Sequence, residues 1–158
     1  MRLSRTLALV LLTACAGDGG AEAFPVGNTL YFPQGTVDVR FVDKLVALQG
    51  AVVAIEKGPQ EKPLFRLELA GVPASVWIAS LVDLDNQDLG SRTNVRVLGY
   101  LRRVTDRDTA LTAVTQDRYF VLGFCFVLEE TERAAFLPAG VRQCEGWQTG
   151  KTAEELVP

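Results

Sequence analysis

The chain has 158 residues and is 48% hydrophobic, which suits one domain of ordinary size plus tails and excludes a natively disordered chain. Its formal charge of −3 argues against a surface built for phosphate backbones or anionic head groups. It contains no histidine, which removes Ser–His and Cys–His nucleophile pairs and every His-based metal site.

The chain opens with Arg2 and Arg5, an apolar run over residues 7–12, and then Leu12-Thr13-Ala14-Cys15. Charged head, apolar middle and small-residue site are the order of a secretory signal. The run is too short for a membrane-spanning helix, which takes about 20 residues. The segment resembles a bacterial lipoprotein signal, and Leu12-Thr13-Ala14-Cys15 resembles the lipobox of that class. The resemblance implies cleavage after Ala14, a diacylglyceryl group on the Cys15 sulfur, and a fatty acyl group such as palmitate on its amine. Ala16, rather than aspartate, follows the lipobox cysteine. The resemblance therefore implies an outer-membrane address facing the periplasm ahead of an inner-membrane one. The alternative is that residues 1–14 form a short buried helix with Cys15 as an ordinary thiol, which the agreement of charged head, apolar run and cysteine position disfavours. Gly17-Asp18-Gly19-Gly20 reads as a flexible tether.

Residues 1–14 are thus expected to be a signal peptide, 15–35 a lipidated N-terminus and tether, 36–148 a β domain, and 149–158 a frayed tail. Loss of Arg2 and Arg5 with the signal leaves 14 basic against 19 acidic residues, a charge of −5. With Cys15 lipidated, Cys125 and Cys144 remain. In an oxidising compartment such a pair is expected to form a disulfide, the alternative being two separate buried thiols.

Residues 36–42 alternate apolar with polar, as a half-buried strand or the start of a short helix would. Residues 46–55 form a valine-rich apolar run with Gly50 inside it, a sign of a bulge or sharp bend. Residues 57–63 are a polar loop. Residues 64–70 alternate cleanly, with Phe65, Leu67 and Leu69 on one face and Arg66 and Glu68 on the other. A turn at Gly71-Val72-Pro73 leads to a third strand over 75–82. Residues 83–90 form an acidic loop that lacks the glycine and distal glutamate of a calcium loop. Residues 93–104 make a fourth strand, with Val95, Val97, Gly99 and Leu101 on one face and Arg96, Leu98, Tyr100 and Arg102 on the other. Residues 109–116 carry no clear signal, 119–128 are a strand by their aromatic and β-branched content, and 129–135 have a helical look.

At least five strands with short links and no long amphipathic helix specify an all-β or mainly β chain, a small barrel or sandwich with short helical segments. The bent first strand, the hairpin around Gly58-Pro59, and the spacing of Gly90, Val95, Val97 and Gly99 are similar to a five-stranded OB-fold barrel over residues 46–128. Residues 83–92 are short for the helix such barrels carry between strands three and four, so another small barrel or sandwich stays open.

The OB-fold resemblance implies a ligand face on strands two and three, framed by the loops after strands one and four. Arg66 and Trp77 would lie on it, with Arg102 and Arg103 at its rim. Aromatic rings among arginines suit single-stranded nucleic acid, a peptide or a sugar. The residue-level alternatives are a core role for Trp77 and a solvated strand end for Arg102 and Arg103. Nucleophile and phosphate-loop motifs are absent from the sequence. The expected function is therefore non-catalytic and cofactor-free: an envelope lipoprotein whose β domain binds another envelope component, a protein first. The alternative is an OB module for an extended oligosaccharide or single-stranded nucleic acid, the latter disfavoured by charge. Oligomeric state is left open by the sequence.

Overall fold

A computed structural model describes residues 26–84, 89–131, 133–137 and 144. The signal with Cys15, and the tail 149–158, lie outside the described residues. Six strands form: β1 (Leu45–Lys57), β2 (Pro63–Leu69), β3 (Ser75–Ser80), β4 (Asn94–Arg103), β5 (Tyr119–Leu128) and β6 (Arg133–Phe136). Two short helices accompany them, α1 (Asn28–Tyr31) and α2 (Thr109–Val114). The sheet order is β3-β2-β1-β4-β5-β6, and a parallel β3–β5 pairing closes the first five strands into a barrel. The chain is mainly β, and the barrel has the five strands expected.

Alternation builds the interior. Phe65 and Leu67 from β2, Ile78 from β3, Val95, Val97 and Leu101 from β4, and Phe126 from β5 meet in one buried cluster. Each such side chain contributes about 1.5–3 kcal/mol on burial. Arg66 and Glu68 face outward, as their spacing predicts.

Two glycines let the barrel curve. A Cβ on Gly50 would strike the Glu68 carbonyl oxygen, so β1 can approach β2 there only without a side chain. The bulge itself falls further on: Val52 pairs with Leu67 and Ala54 with Arg66, leaving Val53 as the extra residue. At Gly99 a Cβ would stand 2.5 Å from the Leu122 carbonyl oxygen, beside a second bulge in which Phe124 is the extra residue of β5.

Three expectations are corrected. Residues 36–42 are not a strand; Val39–Phe41 is a 3₁₀ turn, opened by Asp38, whose side chain accepts from the Arg40 N–H. The guanidinium of Arg40 also holds the half-buried Asp38 carboxyl below its usual range, by direct hydrogen bonding first. The tether, placed over 15–35, does not extend to residue 35, because residues 26–35 belong to the folded domain. Asn28 donates to the carbonyls of Gln49 (2.7 Å) and Ala70 (2.9 Å) and accepts from the Gln49 N–H (3.1 Å), bridging β1 to the end of β2. Tyr31 and Phe32 then enter the interior cluster. Finally, residues 129–135 are not helical: a turn leads into β6, where Ala135 and Ala134 pair with Phe126 and Val127. The open edge of β5 offers backbone partners that outweigh a weak local helix preference.

The helix that OB-fold barrels carry between strands three and four, for which residues 83–92 read as short, is absent among the described residues there, and α2 sits between β4 and β5 instead. No helix of the described residues is long and apolar enough to cross a membrane.

The outside of the barrel carries two further apolar clusters. Leu45, Ala47, Leu98, Phe124 and Val127 lie with Cys144 against them. Cys144 is bonded to Cys125, with Cα atoms 5.7 Å apart. On the other flank, Leu64, Trp77, Ala79 and Phe120 gather around Leu111, the buried residue of α2.

Candidate binding groove

The second outer cluster is incompletely covered, and a groove of about 310 Å³ opens beside α2. Register explains its floor. Leu64 pairs with Ala79 across β2–β3, and Ala79 pairs with Leu122 across the parallel β3–β5 seam. Phe120, two residues before Leu122, completes an apolar floor drawn from three strands. Its walls come from the two connections that frame ligands on barrels of this class. Pro59 stands in the β1–β2 connection; Asp108, Ala110 and Leu111 stand in the β4–β5 connection. Its volume is at the lower end of the range of small-ligand sites, about 300–1,000 Å³.

Arg102 and Arg103, at the end of β4, form the charged rim. Arg102 donates to Asp43 at 2.9 Å and lies over the Tyr100 ring, 5.6 Å from its centre. Arg103 lies over the Tyr119 ring at 5.9 Å. Asp108 is the rim carboxylate. Its Oδ2 accepts from the Thr105 N–H and hydroxyl at 2.7 and 2.8 Å, which fixes the turn into α2.

The other two predicted site residues take different roles. Arg66 is half-buried and donates to the Ser75 hydroxyl at 2.7 Å, bracing β2 against β3. Trp77 is 5% exposed and packs in the cluster under α2, so its ring offers no face to a ligand. Its indole N–H is buried with no hydrogen-bond partner among the described residues. Lys62, in the β1–β2 connection, donates to the Leu81 carbonyl at 2.8 Å.

The structure thus brings Arg102 and Arg103 together at the groove and leaves Arg66 and Trp77 to one side. The floor residues and α2 were missed. One signal for them is present in the sequence: residues 119–128 are apolar almost without interruption, the pattern of a strand covered on both faces. Among the described residues, no three His, Cys, Asp or Glu side chains gather where a metal ion could sit.

No protein-family model matches the chain, and no curated protein matches it. Among solved structures it is similar to a "putative aspartyl-tRNA synthetase" from Leishmania major Friedlin, at a TM-score of 0.40 and 13% identity over 73% of this chain. The chain spans 22% of that protein's length. A likeness at this level carries nothing over about activity.

Proposed function

We propose that this chain is a lipid-anchored envelope protein whose barrel grips a protein partner in the groove and catalyses no reaction. One observation carries the reading: the two connections that frame ligands on such barrels here bracket an apolar floor of Leu64, Ala79, Phe120 and Leu122. Apolar floors with a few polar rim groups suit side chains of a partner. Single-stranded nucleic acid needs exposed rings for base stacking, and Trp77 is buried. Arg102 and Arg103 alone favour the second reading, an extended oligosaccharide or single-stranded nucleic acid, and the net negative charge opposes its nucleic-acid form.

The anchor rests on Leu12-Thr13-Ala14-Cys15, which supports lipidation of Cys15 and an outer-membrane address facing the periplasm. Cys15→Ser is expected to abolish incorporation of labelled palmitate and leave the signal uncleaved; normal labelling would sink the anchor. For the groove, a compact diazirine-bearing aliphatic residue, too small to fill the groove as an aromatic ring would, replaces Ala110 in one version of the full chain and the exposed Leu30 of α1 in another. Irradiation of the native envelope is expected to yield a defined protein adduct from position 110 and none from position 30. Equal adducts, or none from position 110, would overturn the reading.

A further inference from the structure

The apolar floor says that the groove takes a bulky side chain, and the rim says what must stand next to it. Two cations sit there, and they differ. Arg102 already holds a carboxylate, Asp43. Arg103 is exposed, and no ion pair or hydrogen bond to a carboxylate is found for it among the described residues; its neighbour is the Tyr119 ring. That ring favours the guanidinium in one place, so less side-chain freedom is lost when an anion arrives. Asp108 stands on the same rim, where its Oδ2 accepts from the Thr105 N–H and hydroxyl, and no ion pair between it and Arg103 is found among the described residues. The rim therefore keeps one guanidinium, with its planar fork of donors, for an incoming acid.

We propose that the groove recognises a linear peptide segment in which a bulky apolar side chain stands next to a carboxylate, and that Arg103 selects the acid. The apolar side chain fills the space over Leu64, Ala79, Phe120 and Leu122, while the neighbouring Asp or Glu meets Arg103. This inference rests on the protein-binding reading above and deepens it. A peptide with lysine at the same place meets like charge and is rejected. Binding weakens with salt, because the ion pair forms at an exposed rim.

The test uses the full chain in detergent micelles and octapeptide probes with blocked ends. Each carries one Phe or Leu flanked by Glu, Gln or Lys. The Glu peptide is expected to bind about tenfold tighter than the Gln peptide, the scale of a charge-assisted hydrogen bond, and the Lys peptide weakest of all. Arg103→Glu is expected to reverse that order without changing the fold, since the side chain is exposed. Ala110→Trp, which fills the groove, is expected to weaken all three. Equal binding of the three peptides, or an order that survives Arg103→Glu, overturns the proposal. If no peptide binds while position 110 still captures an envelope protein, the peptide chemistry is wrong and the groove reading stands. If both fail, both fall. Glu154-Glu155-Leu156-Val157 has the proposed chemistry within this chain. Should E154Q/E155Q strengthen Glu-peptide binding several-fold, the groove's occupant is the chain's own tail, and the partner proposal is overturned.

Discussion

The two outer flanks of the barrel start from the same problem and solve it differently. Each is an apolar cluster on the outside of a wall whose interior is already filled. Around Leu45, Leu98, Phe124 and Val127, Cys144 is held by a covalent bond to Cys125. Around Leu64, Trp77, Ala79 and Phe120, the cover is a six-residue helix with one buried side chain and no side-chain cap. The first flank is fastened covalently. The second leaves a groove, and the groove lies between the two connections that barrels of this class use for ligands. The disulfide-linked flank is the one expected to supply stability, and the incompletely covered one is where the proposed binding would occur. The buried Trp77 N–H, for which no hydrogen-bond partner is found among the described residues, lies in the second cluster as well.

Breaking the fastened flank should have the largest effect. Cys144→Ser removes a bond between residues 19 apart, which should cost about 3 kcal/mol through freedom regained by the unfolded chain. Denaturant unfolding with and without reductant should show that loss once, with the variant insensitive to reductant. Peptide binding in the groove should survive; its loss would mean that the flanks are not independent.

On the open flank, Leu111→Ala should cost about 2–3 kcal/mol in the same unfolding measurement, because it deletes the buried contact of α2. Unlike Cys144→Ser, it should also weaken binding in the groove. Trp77→Phe sharpens the contrast further. It loses some volume but removes a buried donor that has no partner among the described residues, so the net change should stay below about 1 kcal/mol. A loss above about 2 kcal/mol would mean that the indole N–H has a partner after all. Arg103→Glu should have the smallest effect on stability, within about 0.5 kcal/mol, because the side chain is exposed. Its whole effect is expected in binding, which a titration against the Glu peptide would read.

The five barrel strands could be read from residue order because each is a local pattern. Residues 64–70 alternate, and a strand with one face in a core must do so. Gly50 could be marked as special for a related reason: few other causes put glycine inside a valine-rich run. Residues 26–35 could be read only as a lead-in whose aromatics can pack onto the domain, which Tyr31 and Phe32 do; the fixed place of Asn28 could not be read. Asn28 gains its place only from the carbonyls of Gln49 and Ala70, which are distant in sequence. The same holds for β6, whose alanines become strand residues because β5 presents an open edge.

The candidate site divides along that line. Arg102 and Arg103 stand out as adjacent cations at the end of a strand, and residue order alone placed them near a rim. The sequence could not tell that Asp43 pairs with Arg102, while no carboxylate partner of Arg103 is found among the described residues. Nor could it tell that Trp77 would be buried, since an outward strand position is exposed only if nothing lies over it. By itself the sequence determined composition, charge, the absence of histidine chemistry, the strand periods and the resemblance at Leu12-Thr13-Ala14-Cys15, all of which depend on neighbours along the chain. Only the tertiary structure decided which strands meet. The parallel β3–β5 seam brings Ala79 to Leu122 across 43 residues of sequence, and the groove floor exists because of that long-range register.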